Sequence, residues 1–464
     1  MIEGQTTIFD MLYPKYKITK PIRLIELFSG YGSQALALKY LGVNFEHWKI
    51  CEWAIKSIQA YKDIHFPDDV EDYSDFIDVN TLTDILYNLG ISSNYNEPMK
   101  LEQIKKLSEN QLRTIYNNIR STNNLVNIQN VKGNDLEIVD TGNYDYILTY
   151  SFPCQDLSLA GKGQGMSDTT TRSGLLWEVE RLLSECKELP QILLMENVPQ
   201  VHSQDNLEDF NKWKDRLEEL GYKNYFQDLI ATDYGIPQTR NRTFMISILG
   251  DYNYTFPKPI PLKLKLKDML ESNVSKKYYL SDKMKQYIFS EDDKTIGTIQ
   301  AMYPLTNHGH RLIIKNATKQ GYLEASEGDG IDISTRMETH RGTVQKGKTQ
   351  TITTFGGINN GVVVKAKVLG GIGEKDSNNN TQWKQQNRIY DDKVSISVTT
   401  VFNPFYNTDL QIRKLTPREC FRLMGVKDED FDKLKKDQTD SSLYHLAGDS
   451  IVINVLMAIF KELL

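Results

Sequence analysis

Cysteine is scarce in this 464-residue chain: Cys51, Cys154, Cys186 and Cys420 form no CxxC pair and no metal-ligand spacing. That argues against a disulfide framework and against a zinc site, and leaves any special thiol a reactive rather than a structural part. Apolar runs approaching the roughly 20 residues of a membrane span are missing as well. The polar amino-terminal stretch lacks the layout of a signal peptide. The expectation is a cytoplasmic protein with no membrane partner and no metal. A basic excess is also absent. The net charge of −6 argues against a uniformly basic nucleic-acid binder, although a global sum hides local asymmetry. From Asp251 to Arg413, 23 Lys+Arg stand against 17 Asp+Glu, a balance of +6 beside −12 for the remainder. A polyanion would meet this segment first.

The length suits one large domain plus a smaller one. Ile22 to Phe28 reads as a buried strand, Ser29-Gly30-Tyr31-Gly32 as a turn, and Gln34 to Leu38 as the start of a helix. A second strand through Trp48 to Cys51 ends in Glu52-Trp53, placing an acid 20 positions after Gly32, the dinucleotide-type interval. Further strands are expected at Tyr146–Tyr150, Ile192–Met195 and Thr243–Ile246. Such alternation with helices predicts a doubly wound, mostly parallel sheet. Two stretches interrupt it. Residues 71 to about 130 are polar and Asn-rich, with a helical period around Leu101 to Leu107, and read as an insertion. Residues 251–410 look like a separate, mixed or β-rich domain, with similar short runs at Thr295–Ile299, Thr349–Thr354 and Ser395–Thr400. Strand composition explains those runs better than a true repeat. Thr416-Pro417-Arg418-Glu419 is a helix start with a capping box, and Phe421, Leu423 and Met424 should face inward. A last apolar helix from Ile451 to Leu464 returns the chain to its first domain.

Several motifs gather chemistry at the expected carboxyl edge of the sheet, where open α/β folds place their sites. Gly30 and Gly32 let backbone approach a ligand, Glu52 can accept from ribose hydroxyls, and Trp53 can stack on a base. The third glycine of the pyrophosphate fingerprint is missing, which favours a nucleoside ligand without phosphates. Cys154 follows Pro153 at a strand end, and the loop Leu157 to Gly165 behind it could hinge over a substrate. Glu196 ends the strand from Ile192, and Arg240 and Arg242 lie two residues apart on one face if extended. Each feature alone has an ordinary explanation: a glycine turn, an inert buried thiol, a capping glutamate, surface arginines.

In this order the pieces resemble the DNA cytosine-5 methyltransferases of bacteria and phages. The resemblance rests on Glu26-Leu27-Phe28-Ser29-Gly30-Tyr31-Gly32, Phe152-Pro153-Cys154-Gln155, Glu196-Asn197-Val198, Gln238-x-Arg240-x-Arg242, Arg413-x-Leu415-Thr416-Pro417-Arg418-Glu419 and Gly448-Asp449-Ser450. It covers about residues 23–250 and 411–464. It implies a Rossmann-like S-adenosylmethionine-dependent domain over 1–250 plus 411–464, and a smaller target recognition domain over 251–410, the +6 segment.

The resemblance further implies that Cys154 adds to C6 of a flipped-out cytosine. Glu196 would hydrogen-bond or protonate N3, Arg242 with Arg240 nearby would hold the base oxygen, and Asn197 would orient the Pro153–Cys154 loop. The cofactor set becomes Phe28, Gly30, Gly32, Glu52, Trp53, Pro153, Leu175, Asp449, Ser450 and Ile451. Asp135-Leu136 joins it because Asp135 lies 19 residues before Cys154, with Asp78 as the rival. Gln155, Ser158, Gly161 and Arg172 would line the lid over DNA, and Thr399-Thr400 or Ile352-Thr353-Thr354 would approach the bases. Asp449 stands where the family usually carries Asn, and its extra charge should weaken cofactor binding slightly. Two other readings stay open: a tRNA cytosine-5 methyltransferase, whose recognition segment is usually smaller than the 160 residues here, and a non-catalytic DNA-binding regulator. No nuclease motif is evident, so a cognate restriction endonuclease would be a separate polypeptide. A monomer acting on double-stranded DNA is expected.

Overall fold

The computed structural model describes residues 14–152, 173–280, 312–316, 318–319, 321–334, 343–354, 359–365, 368–371, 374–375, 381–382, 388–390 and 410–464. Pro153, Cys154, Gln155, Ser158, Gly161, Arg172, Thr399 and Thr400 therefore lie outside the described residues, as do the runs Thr295–Ile299 and Ser395–Thr400. The chain divides into two units, the first built from 1–236, 240–262 and 421–464, the second from 237–239 and 263–420.

In the first unit the order is β1 (Ile22–Leu27), α1 (Ser33–Tyr40), β2 (Phe45–Cys51), α2 (Ile55–His65), α3 (Val79–Leu89), α4 (Leu101–Ile104), α5 (Glu109–Ser121), β3 (Asp145–Tyr150), α6 (Leu176–Glu185), β4 (Ile192–Asn197), α7 (Leu207–Glu219), β5 (Tyr222–Ile230) and β6 (Asn241–Leu249). The six strands form one sheet in the order β2-β1-β3-β4-β6-β5. β1 to β4 are mutually parallel. β3 and β4 are buried along their whole length, as expected of parallel strands covered by helices on both faces. β6 departs from the parallel pattern, running antiparallel between β4 and β5 and pairing Asn197 with Thr243. Its amino end therefore lies beside the carboxyl end of β4. Leu148, Leu193, Met195, Met245 and Trp213 meet in the core of this unit, each large apolar side chain contributing about 1.5–3 kcal/mol by leaving water.

Where an inserted helical element was expected over 71 to about 130, the three helices α3, α4 and α5 occur. Asp78 caps α3 by accepting from Asn80 N and Thr81 N, and Gly90 ends it in the left-handed region. α4 stops after four residues because Ser108 and Gln111 form a capping box that opens α5. Leu82, Leu86, Ile91, Ile104, Leu112, Ile115 and Ile119 pack with Ile58 of α2 into a second apolar cluster. The carboxyl-terminal helices are α8 (Pro417–Leu423), α9 (Asp428–Lys435), α10 (Asp440–Asp449) and α11 (Ile453–Leu463). The stretch Asp440–Leu463 has the length and apolarity of a membrane span. It is divided between α10 and α11, however, and Ile453, Leu456, Ile459, Phe460 and Leu463 are buried in the fold.

The second unit is antiparallel where described. Val344–Gln345, Gly330–Asp332, Asn360–Lys365 and Leu410–Lys414 form a four-stranded sheet in that order. Leu410–Lys414 thus pairs within this unit, against Asn360–Lys365. Tyr322–Ala325 makes a hairpin with Leu312–Lys315. Gln238 is buried here, its Oε1 accepting from Ile352 N at 3.0 Å. Arg413 and Glu419 form a buried bidentate pair at 2.7 and 2.8 Å.

Candidate active site

The carboxyl ends of β1, β2, β3 and β4 and the amino end of β6 converge on one edge of the first unit's sheet, where a cavity of about 420 Å³ opens. Its first wall is the turn after β1. Phe28 N keeps up the ladder to Cys51 O at 2.8 Å, and Phe28 itself has a φ of 59°, rare for a residue with a side chain. A Cβ on Gly30 would meet nothing within 4 Å, so this glycine faces open cavity. Gly32 does not line the cavity. A Cβ there would lie 2.4 Å from His65 Nε2 and 2.6 Å from the Tyr61 ring. Its bareness makes room for α2 rather than for a ligand. Behind it, buried Glu26 accepts from Tyr61 Oη at 2.6 Å and Ala35 N at 3.3 Å, and burial pushes its carboxyl up to about 7.

Glu52 and Trp53 form the second wall. Glu52 accepts from Gly30 N at 3.0 Å through Oε2 and from Ala54 N at 2.8 Å through Oε1. With Trp53 N as a third backbone donor, a carboxylate of about four acceptor sites still has capacity for an incoming hydroxyl. Burial, with a smaller contribution from the Asp449 charge, raises this carboxyl to about 7 against its backbone donors.

The third wall corrects an expectation. Asp135 accepts from Lys132 N at 2.8 Å and caps its own 3-10 turn, while Leu136 is buried in the core with its carbonyl taken by Trp48 Nε1. Neither lines the cavity, nor does Asp78. Val126, Asn127, Ile128 and Gln129 do. The reason is pairing: Leu125 N donates to Ile50 O at 2.8 Å and Asn124 brackets the Glu52 backbone from both sides. This segment, not the turn nearer β3, runs on from the end of β2. Tyr95, Asn96, Glu97 and Pro98, from the loop after α3, complete this side.

The fourth wall is the end of α10 and the turn beyond it: His445, Leu446, Gly448, Asp449, Ser450 and Ile451. Tyr31 Oη donates to Ser450 Oγ at 2.9 Å, and Arg240 Nη2 donates to Ser450 O at 2.7 Å. Arg240 therefore touches the cavity while anchoring this turn, a different task from holding a base. His445 Nε2 lies 2.9 Å from Asp449 Oδ2, a contact without hydrogen-bond geometry.

At the remaining side stand Ser151, Phe152, Leu175, Glu196, Asn197, Val198 and Arg242. Arg242 Nε lies 3.1 Å from Glu196 Oε1. That contact is an ion pair without hydrogen-bond geometry, so Oε1 is a buried acceptor with no hydrogen-bond partner. Burial raises the Glu196 carboxyl above its usual range, opposed by Arg242 and Arg240. Asn197 Nδ2 donates to Phe152 O at 3.0 Å, and its Oδ1 accepts from Val198 N at 2.8 Å. The amide thus ties the end of β4 to the backbone that leads out of β3 into Pro153 and Cys154.

Among the described residues no group of three or more His, Cys, Asp or Glu side chains could hold a metal. The described cysteines offer no activated thiol: burial raises Cys51, Cys186 and Cys420 above the usual thiol value. Reading the sequence alone missed Asn127, Tyr95 and His445. His445 carried a usable signal, standing one helical turn before Asp449. Tyr95, inside an Asn-rich insertion, carried none.

The model of C-5 cytosine-specific DNA methylases matches residues 101–464. The orphan methyltransferase M.SssI of Spiroplasma monobiae is 38% identical over 287 residues, 61% of this chain and 72% of that protein. The type II methyltransferase M2.ScrFI of Lactococcus lactis subsp. cremoris is 29% identical over 453 residues, 95% of this chain and 99% of that one. Among solved structures, the methyltransferase EhMeth of Entamoeba histolytica aligns over 96% of this chain and 98% of its own, with a TM-score of 0.53 at 14% identity.

Proposed function

The chain belongs to the C-5 cytosine-specific DNA methylase family, and from that premise we propose that it transfers a methyl group from S-adenosylmethionine to C5 of a cytosine in a specific double-stranded DNA sequence. The observation that carries this reading is the Glu196–Arg242 pair at 3.1 Å, on the cavity edge toward which Asn197 ties the strand that precedes Cys154.

The donor set suits an S-adenosyl ligand. Glu52 keeps acceptor capacity for a ribose hydroxyl, Trp53 and Phe28 offer aromatic faces, and Gly30 leaves room for close approach. Asn127 and Ile128, rather than Asp135 and Leu136, would border the nucleoside. When bound, S-adenosylmethionine supplies an electrophilic methyl group on a sulfonium.

The chain's own residues make C5 able to accept it. The Cys154 thiolate adds to C6, forming the Sγ–C6 bond and pushing the ring electrons toward C5 and N3. Glu196, whose burial favours the protonated form, donates to N3, and Arg242 holds the base oxygen as charge builds on the ring. After methylation, loss of the C5 proton and departure of the Cys154 thiolate restore the aromatic ring. C6 is shielded within a duplex, so the base is flipped out, with the loop bearing Gln155, Ser158, Gly161 and Arg172 over it. Residues 251–410 serve as the target recognition domain, with Thr399-Thr400 or Thr353-Thr354 toward the bases.

Trapping on a duplex that carries 5-fluorocytosine tests the reading, because fluorine blocks the final elimination. The expected result is a covalent complex that needs S-adenosylmethionine, is absent in Cys154→Ala, and does not form on tRNA. A complex that survives Cys154→Ala, or preferential trapping on tRNA, would sink it.

A further inference from the structure

The inserted region 71–130 reaches the cavity twice, at the Val126–Gln129 wall already described and at a loop that has no place in the chemistry above. That loop, Ile91–Met99, is closed at its base by Met99 N donating to Ile91 O at 2.8 Å, and both residues are buried in the apolar cluster of the inserted helices. It is also bonded within itself. Ser92 Oγ donates to Glu97 O at 2.7 Å, and Asn94 Oδ1 accepts from Asn96 N at 3.0 Å and Glu97 N at 3.2 Å. The loop is joined to the Glu52 wall, since Ser92 N donates to Trp53 O at 2.7 Å and Ile55 N to Ser92 O at 2.9 Å.

A loop so braced presents Tyr95 with a φ of 63°. The left-handed region costs a residue with a Cβ about 1–2 kcal/mol, and Asn or Gly would fit there more easily. Such strain persists only where the surroundings impose it, and it concentrates at ligand clamps. What Tyr95 gains is a ring contact. Its centroid lies 3.8 Å from that of His445, tilted by 35°, and both rings line the cavity. On its other side His445 Nε2 lies 2.9 Å from Asp449 Oδ2. The stack therefore joins the insertion to the Gly448–Ile451 turn across the cavity.

We propose that the Ile91–Met99 loop is a clasp over the cofactor cavity, in which the Tyr95–His445 ring contact sets how long an S-adenosyl ligand stays bound. The proposal rests on the reading of this cavity as the S-adenosyl site. Tyr95 acts as a retaining residue and touches no reacting atom.

The test is calorimetry and stopped-flow dissociation of S-adenosylhomocysteine from the full-length protein. Tyr95→Asn removes the ring while suiting the backbone. It should melt near the wild-type temperature without ligand, yet release the ligand about three- to tenfold faster, the range expected for one aromatic contact. Tyr95→Phe should behave like wild type. His445→Ala should match Tyr95→Asn, and the double variant should be no worse than either, because one contact is lost in each case. Dissociation from Tyr95→Asn within twofold of wild type, or a Tyr95→Phe defect as large as that of Tyr95→Asn, overturns the clasp alone. Absence of saturable binding to the wild-type protein overturns the S-adenosyl reading and the clasp with it.

Discussion

Replacing Gly32 by Ala separates two meanings of the glycine turn. Gly32 sits at the amino end of α1 with a φ of 81°. A methyl group there meets two obstacles, His65 Nε2 at 2.4 Å and Tyr61 Cε2 at 2.6 Å. Neither obstacle is free to move. The Tyr61 hydroxyl is bonded to buried Glu26 at 2.6 Å, and His65 Nε2 contacts Tyr31 O at 3.0 Å. The left-handed conformation costs about 1–2 kcal/mol and overpacking a filled site about 1–3 kcal/mol. The variant should therefore lose about 2–5 kcal/mol, a large share of the roughly 5–15 kcal/mol that holds a domain together. Urea denaturation measures this, with Gly30→Ala as the comparison: there the backbone is also left-handed, at 55°, but the methyl group enters open space at the cavity. Gly30→Ala should lose only the conformational part and weaken S-adenosylhomocysteine binding. If Gly32→Ala loses less than about 1 kcal/mol, or if it harms ligand affinity more than Gly30→Ala does, the structural role given to Gly32 is wrong.

Two further outcomes follow from buried polar groups. Burial lifts Glu26 from 4.5 to about 7, so the fold favours its protonated form. Its contribution is full below about pH 4.5 and is lost as the pH rises through about 7, by at most about 3 kcal/mol. Denaturation of Glu26→Gln across this window should show a flatter pH dependence than wild type, and parallel curves would refute the assignment. Asn197→Ala removes the donor to Phe152 O. Trapping on the 5-fluorocytosine duplex should slow at least tenfold, on the order of one lost buried hydrogen bond, while S-adenosylhomocysteine affinity stays within twofold. Unchanged trapping would mean that Asn197 does not position the Cys154 loop.

The parts of the fold that the sequence made legible are those where burial leaves a mark on composition. β3 and β4 are near-continuous apolar runs because helices cover both faces of a parallel strand, and the expected strands at 146–150 and 192–195 fall inside them. The capping box at Thr416 is also realised, with Thr416 N donating to Glu419 Oε2 at 2.8 Å and Glu419 N to Thr416 Oγ1 at 3.2 Å. β5 was not legible. Among the described residues it pairs only with β6, and residues 227 and 228 near its middle are exposed. An edge strand needs little apolar periodicity, and Tyr222–Ile230 is absent from the strands expected from the sequence. The inserted helices were half legible for the opposite reason. Ser108 and Gln111 do spell a capping box, but the apolar period around Leu101–Leu107 masked the break that this box enforces.

The site divides along the same line. Residues fixed by local chain direction could be read: a strand end places Glu196 at the carboxyl edge, and a glycine after β1 opens the turn. Residues fixed by pairing partners could not. Nothing in the sequence of β6 says that it runs antiparallel, yet that direction alone carries Arg242 to Glu196 from the amino end of a strand. Asp78 illustrates the ambiguity most directly. An acid between α2 and α3, just ahead of a helix, suits a cofactor contact and an N-cap equally well, and only the donors decide: Asn80 N at 3.0 Å and Thr81 N at 3.1 Å occupy Asp78 Oδ1. Asn127 took the place sought for an acid because Asn124 and Leu125 had already bound their segment to the end of β2. The pairing sets the path of this segment, and the side chains beside the cavity are those it carries there.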